Sequence, residues 1–401
     1  MKVLVINCGS SSIKYQLYDA DIQQVLCKGI VSRIGEEESS LVLEAREVKL
    51  HKEMPVPSHR EGLELIVQSL LDGNHGVIRN LSEVSAVGHR TVHGGDTFVE
   101  STLISKDVID KLEICIPLAP LHNPPNLTGI REALRLLPNV PHVAVFDTAF
   151  HRTMPPKAYL YALPYEYYET HKIRRYGFHG TSCRYVSQRT AQVLERQLEG
   201  LKMVICHLGN GVTIAAVNGG ESVDTSLGFT PVPGVMMGTR SGDIDPGLIF
   251  HLNRQLGLSL DHIDSILNRE SGLLGVSGVS NDMRLIIEKS RCGNERCQLA
   301  MEMFAYQVKK FVGAYAAAMG GVDALVFTAG IGENSPVTRA MITEGLGFLG
   351  IELDETRNNE TVGTEQIISS PNSVVKVLVI PTNEERMIAL DTIAVAYPSF
   401  R

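Results

Sequence analysis

Two arginines carry the first chemical signal in the chain. Arg90 lies in Gly88-His89-Arg90-Thr91-Val92-His93-Gly94-Gly95, and Arg240 in Met236-Met237-Gly238-Thr239-Arg240-Ser241-Gly242-Asp243. A guanidinium in a glycine-bounded segment can grip a carboxylate or phosphoryl group through two parallel hydrogen bonds, so both read as anion clamps in loops. Further polar residues follow apolar runs: Asn7 after Val3-Leu4-Val5-Ile6, and Asp147 after Val143 to Phe146. His179 lies in Arg174-Arg175-Tyr176-Gly177-Phe178-His179-Gly180-Thr181-Ser182, where Ser182 reads as the cap of a following helix. Strand ends are where open α/β sheets place their sites. Each residue alone also has a plain reading, as a solvated arginine, a hydrogen-bonded loop histidine or a turn aspartate; together they point to anion chemistry. Zinc is disfavoured. Glycines oppose the helix that would present His89 and His93 to one ion, and Cys292 and Cys297 have no second pair at zinc spacing.

These residues need elements to hold them, and an internal repeat supplies the outline. MKVLVINCGSSSIKYQLYD, residues 1 to 19, reads as strand, Gly/Ser turn, strand. MVICHLGNGVTIAAV, residues 203 to 217, has the same shape. Placing Gly9 on Gly209, an offset of 200 residues, matches Val3 to Met203, Asn7 to His207, Ser10 to Asn210 and Leu17 to Val217. Half the chain length separates the two, which implies a duplicated α/β architecture with one hairpin opening each half. Glycine turns let a ligand approach the main chain, and outward amides make an anion-binding concavity. Either turn alone is an ordinary hairpin; their matched recurrence favours a polyphosphate. No GxxxxGK[ST] motif is present. Gly330-Ile331-Gly332-Glu333-Asn334, after Ala324 to Phe327, fits either a nucleotide-approaching loop or a connecting turn.

The bulk properties narrow the class. At 401 residues the chain exceeds a single core, so two domains are expected. With 44% hydrophobic and 20% charged residues it is neither disordered nor rich enough in apolar runs to span a membrane. Residues 1 to 6 lack the longer apolar core of a secretory leader, and seven scattered cysteines suit free thiols, so a cytoplasmic protein is expected. A net charge of −8 disfavours a general nucleic-acid surface.

Ten segments in order from residue 7 to 385 then carry a resemblance: NCGSSSIKYQL, GHRTVHGG, APLHNPPNL, VAVFDTAFH, RRYGFHGTS, HLGNG, MMGTRSGDIDPG, SGLLGVSG, FTAGIGENS and PTNEE. Over essentially its full length the chain resembles the acetate kinase family, part of the acetate and sugar kinase, heat-shock chaperone and actin superfamily. The resemblance implies an α/β fold of duplicated actin-like, ribonuclease H-like domains, each with a βββαβαβα core, and an interdomain cleft. The first domain would be 1–150 plus 385–401, with a returning C-terminal helix, and the second 151–384.

The implied activity is reversible, magnesium-dependent, in-line transfer of the ATP γ-phosphoryl group to acetate, giving acetyl phosphate and ADP. Manganese is a possible substitute ion. By the same resemblance Asp147, His179, Arg240 and Arg90 are catalytic. The carboxylate pocket comprises Arg90, Val92, Leu121, His122, Phe178 and Pro231, and relatives preferring propionate tend to have a smaller residue at the position of Val92. The nucleotide site comprises Lys14, His207, Leu208, Gly209, Asn210, Gly211, Asp282, Met283, Arg284, Gly330, Ile331, Gly332, Glu333 and Asn334. Asn7 and Glu384 would position the metal. The expected partners are a small carboxylate and ATP, without nucleic acid or membrane, and a homodimer is implied. Two alternatives remain: a propionate or butyrate kinase, and an actin-like ATP switch that hydrolyses slowly without making an acyl phosphate.

Overall fold

Both hairpins form, and each seeds a sheet. The computed structural model describes residues 1–45 and 48–400. The chain divides into two units, Met1–Phe150 with Asn383–Arg401, and His151–Thr382. The first unit holds β1 (Lys2–Cys8), β2 (Ser12–Asp19), β3 (Gln24–Ser32), β4 (Ser40–Ala45), β5 (Val48–Glu53), β6 (Val84–Thr91), β7 (Thr102–Leu103) and β8 (His142–Phe146) in one sheet of order β5-β4-β3-β2-β1-β6-β8-β7. The second holds β9 (Lys202–Leu208), β10 (Val212–Asn218), β11 (Glu221–Thr225), β12 (Ala324–Thr328), β13 (Gln366–Ile367) and β14 (Lys376–Val379) in the order β11-β10-β9-β12-β14-β13.

Stripped of their edge strands, the two sheets are the same object. β3-β2-β1-β6-β8 and β11-β10-β9-β12-β14 each run as an antiparallel meander whose first strand pairs in parallel with a later strand, which pairs in parallel with one more. This duplicated α/β architecture is the actin-like, ribonuclease H-like arrangement expected of the chain. The parallel strands need cover on both faces, which explains their unbroken apolar runs. In the first unit Leu4, Ile6, Ile13 and Leu17 pack on one face with Leu63, Ile66 and Leu70 of the helix His59–Leu71. Val3, Val5, Val143 and Val145 pack on the other with Ile388 and Ala389 of the returning helix Glu384–Ala396. In the second, the helix Glu295–Met319 lies on β9 and β10. Among the described residues no helix is long and apolar enough to cross a membrane.

Three local details differ from the sequence reading. Arg90 is not in a loop: it is the next-to-last residue of β6. Gly88 sits inside that strand because a Cβ there would collide with Thr392 and Ile388 of the returning helix, a close approach that only glycine allows. Ser182 is not a cap either, since the helix Gly180–Val193 starts at His179. The hairpins also differ in register. Cys8 pairs with Ile13 but Leu208 with Val212, so the first turn is one residue longer and Leu17, opposite Leu4, corresponds to Ala216, opposite Val204.

A buried pair of histidines links two neighbouring strands, His89 from β6 and His142 from β8. His142 Nε2 lies 3.0 Å from the Leu137 carbonyl and must donate to it, so its Nδ1 accepts from His89 Nε2 at 3.0 Å. Burial, reinforced for His89 by His142, holds both below the usual histidine range, and burial with the nearby His122 depresses His93 to about 4. These groups bind protons more weakly folded than unfolded. Stability therefore falls as pH drops below the unfolded value of about 6.5 and continues to fall until the folded groups themselves protonate. His93 alone contributes up to on the order of 3 kcal/mol of this loss. Calorimetric melting should show Tm declining between roughly pH 7 and pH 5; an invariant Tm would contradict the assignment of these rings as buried and neutral.

Candidate functional site

In the first unit the strand ends gather a charged cluster. Arg90 and Asp147 meet because β6 and β8 are parallel neighbours with Thr91 opposite Phe146, and Asp147 N continues the ladder to Thr91 O at 3.0 Å. Arg90 Nε and Nη2 donate to the two Asp147 carboxylate oxygens at 3.1 and 2.6 Å, a bidentate pair in which Asp147 is 1% exposed and the Arg90 side chain 19%. Burial would lower the Arg90 pKa, but the Asp147 and Glu384 carboxylates outweigh it and raise it. Glu384 opens the returning helix, behind the cap Asn383, whose side chain accepts from Arg386 N. Its carboxyl is pushed up to about 7, first by burial, against the pull of Arg90 and with the help of Asp147 and Glu385. Lys14, paired in register with Asn7, also acts on Glu384.

The proposed apolar lining is less uniform. Val92 is buried, its N–H bound to Asn126 Oδ1 at 3.0 Å, and Asn126 Nδ2 donates to Cys8 O at 2.7 Å, tying the end of β6 to the first hairpin turn. Leu121 is 46% exposed, and His122 stands half-buried before the helix Asn123–Leu136.

In the second unit the site is built around the tip of the β9–β10 hairpin. His179 adopts a left-handed conformation, φ 55°, rare outside glycine and a form of backbone strain that clusters at functional positions. Its ring stacks on His207, with centroids 4.3 Å apart, and its Nδ1 lies 2.8 Å from Thr213 Oγ1. A Cβ at Gly211 would lie 3.1 Å from His179 Cε1 and 3.6 Å from Arg240 Nη1, so glycine lets the tip sit against both. Arg240 is half-buried and makes no side-chain hydrogen bond or ion pair among the described residues; burial lowers its pKa. A partly desolvated guanidinium that no protein carboxylate neutralises is suited to binding an anion. Its loop hangs on the hairpin through Gly238 N to Asn210 O, 3.0 Å, and on the helix Gly272–Ser277 through Leu273 N to Met237 O, 2.8 Å. Phe178 is buried, its carbonyl held by His151 Nε2 at 2.9 Å, and Pro231 is half-buried.

Beside this tip opens a cavity of about 760 Å³. Gly209, Asn210, Asp282, Met283, Arg284, Gly330, Ile331 and Asn334 line it. Four further lining residues were not singled out from the sequence: Asn281, Ile287, Ser335 and Val362. Asn281 Nδ2 donates to Asn210 Oδ1 at 3.0 Å, a contact across 71 residues that no local pattern signals. Other expected members face elsewhere. Leu208 is wholly buried, Gly332 packs under Phe327, and the Glu333 carboxylate turns inward to accept from Ala329 N and Thr382 N at 2.7 and 3.0 Å. Lys14 belongs to the first unit and His207 stands behind Gly209. Ser182, inside the first helical turn, bonds His207 Nδ1 at 2.8 Å.

The first unit thus presents the Arg90 guanidinium and the second the Arg240 guanidinium to small anions, and the cavity of the second unit is large enough for a nucleoside. Comparison with known proteins identifies the family. The family model described as the Acetokinase family matches residues 2–390. An acetate kinase of Thermotoga maritima is 57% identical over 394 residues, covering 98% of each chain. The crystal structure of a Porphyromonas gingivalis acetate kinase superposes with a TM-score of 0.94 at 50% identity, covering 98% of this chain and 99% of that one. That of a Francisella tularensis propionate kinase does so at 0.92 and 43%, with the same coverage.

Proposed function

The chain belongs to the acetokinase family, and from that premise we infer that it transfers the γ-phosphoryl group of ATP reversibly to acetate, giving acetyl phosphate and ADP. The observation that carries the residue assignment is Arg240: a half-buried guanidinium without an anion, at the glycine tip beside His179 and His207. We propose that Gly209 to Gly211, Asp282 to Arg284, Gly330, Ile331 and Asn334 hold the nucleotide in the second unit, with His207 and Lys14 contributing to its phosphates. Asn281, Ile287, Ser335 and Val362 join them as lining.

The reaction needs no proton removed, because acetate is already ionised at neutral pH. Its barrier is repulsion between anions in an in-line displacement. Arg90 binds and orients the acetate carboxylate, while Asp147 fixes the plane of the guanidinium through the bidentate pair. Arg240 and His179 offset charge on the oxygens of the moving phosphoryl group. Asp147 is therefore a positioning residue and not a general base.

The donor set fits magnesium. Among the described residues no three His, Cys, Asp or Glu side chains group to form a metal cage. Asn7 and Glu384 offer hard oxygens, and Glu384 shares its surroundings with the carboxylates of Asp147 and Glu385. Mg²⁺ takes one or two such protein ligands and completes its shell with water and phosphate oxygens. Asn7 and Glu384 would hold it, and manganese shares the preference for oxygen. When bound, the ion neutralises charge on the phosphate oxygens.

Acetate and propionate kinases share this fold, so the acid is selected by the lining and not by the architecture. We propose Val92, Leu121, His122, Phe178 and Pro231 as that lining, with acetate preferred over propionate and butyrate. One methylene in an apolar pocket is worth about 1–3 kcal/mol. Trapping the acyl phosphates with hydroxylamine in parallel assays on the three acids, Val92→Ala should raise the propionate-to-acetate ratio of kcat/KM about tenfold. An unchanged ratio would remove Val92 from the pocket. A cytoplasmic homodimer completes the proposal, and the exposed Leu248, Phe250, Leu256 and Leu260 offer an apolar surface for a second copy.

A further inference from the structure

The loop that carries Arg240, residues 234–243, is tied at its neck. Asp243 N donates to Gly234 O at 2.8 Å, and the Asp243 carboxylate accepts in return from Gly234 N at 2.8 Å. One pair of residues thus closes the loop twice. The neck is so narrow that Gly242, at φ 71°, has no room for a side chain: a Cβ there would lie 2.6 Å from both Gly234 O and Met236 N. Beside the neck, Met236 N donates to Gln307 Oε1 at 2.7 Å. Gln307 belongs to the helix Glu295–Met319, which lies on β9 and β10.

These two contacts differ in kind from the loop's other anchors. Gly238 N to Asn210 O, Met237 N to Arg240 O, Ser241 N to Leu267 O and Ser271 N to Thr239 O all run between main-chain groups, which many side chains would permit. At Gly234 and Met236 the acceptor is a side-chain oxygen, so the identity of residues 243 and 307 decides whether the bond exists. Both donors lie in buried residues, where an N–H that loses its acceptor is costly and the backbone shifts to find another. Any such shift would pass along the loop to Arg240, whose Nη1 lies at the hairpin tip, 3.6 Å from where a Cβ on Gly211 would stand. A charge that stabilises a transition state acts best when already in place, and a displacement of about 1 Å can cost on the order of 10²-fold in rate.

We propose that Asp243 and Gln307 are positioning residues for phosphoryl transfer: their acceptor oxygens brace the neck of the 234–243 loop and so hold the Arg240 guanidinium at the hairpin tip before the substrates arrive. Asp243 serves here as an acceptor and not through its charge. Gln307 fastens the same neck to the long helix beneath the second sheet. This inference rests on the assignment of Arg240 to the moving phosphoryl group.

Steady-state acetyl phosphate formation by full-length variants tests the proposal, with kcat and both KM values measured separately. Gln307→Leu and Asp243→Ala should each lower kcat about tenfold or more while KM for acetate and for ATP stays within about twofold, because a displaced Arg240 is missed mainly in the transition state. Either variant serves alone if the other does not fold. Gln307→Glu and Asp243→Asn keep an acceptor oxygen in place and should return kcat to within about threefold of the wild type. Introduced into Arg240→Ala, Gln307→Leu and Asp243→Ala should cost almost nothing further, since no guanidinium remains to be misplaced. A lowered Tm with unchanged kcat would overturn the proposal, as would a loss that the acceptor-keeping variants do not restore or one that persists undiminished in Arg240→Ala. If Arg240→Ala itself leaves kcat unchanged, the assignment of Arg240 fails first, and the positioning role falls with it.

Discussion

Arg240→Ala should lower kcat for acetyl phosphate formation on the order of 10³-fold, because a guanidinium on the moving phosphoryl group acts mainly in the transition state. KM for acetate and ATP should change far less. The structure adds an unusual second expectation: the variant should be as heat-stable as the wild type or more so. Arg240 makes no ion pair among the described residues, and its burial costs stability that no bound anion offsets in the free protein. Lysine at 240 keeps the charge but loses the planar fork, so Arg240→Lys should recover only part of the rate. A fall in Tm with unchanged kcat would mark Arg240 as a structural arginine.

Asp147→Asn should behave in the opposite way. Asp147 is 1% exposed and bound at both oxygens, so the amide leaves one guanidinium N–H facing an NH₂ group. Removing one partner of a buried pair costs about 3–5 kcal/mol, which predicts a marked drop in Tm. With Arg90 no longer held in plane, kcat/KM for acetate should fall about 10²-fold or more while KM for ATP stays nearly constant. In a double-mutant cycle, Arg90→Ala and Asp147→Ala should couple strongly, the double variant being less destabilised than the singles sum to. Additive losses, or a Michaelis constant that moves for ATP and not acetate, would contradict the positioning role of Asp147.

What the chain disclosed in advance follows from the range of its interactions. The hairpins were legible because an apolar run, a glycine turn and a second run are a local pattern, and the strand before Asp147 ends where Phe146 does. Arg90 reads as a loop residue because Gly88 looks like a break, yet it lies in β6. The reason for that glycine is the helix Glu384–Ala396, nearly the whole chain away. Ser182 resembled a cap because capping is the commonest local use of serine, and its true partners, His207 and Thr382, are brought in by β9 and by the segment after β14. Asn281, Ile287, Ser335, Val362 and Glu385 escaped notice for the same reason: side chains from separate segments create the cavity and the charged cluster. The one-residue difference between the two turns was also invisible, since a constant offset aligns the sequences equally well on either register.

The fate of the γ-phosphoryl group decides between transfer to acetate and hydrolysis of ATP. Phosphorus NMR of the purified protein with ATP, magnesium and acetate should show acetyl phosphate appearing in step with ADP, and Arg240→Ala should suppress both signals together. ADP accompanied by inorganic phosphate, with no acyl phosphate at any time and no dependence on acetate, would contradict transfer to the carboxylate and point instead to an actin-like ATP switch.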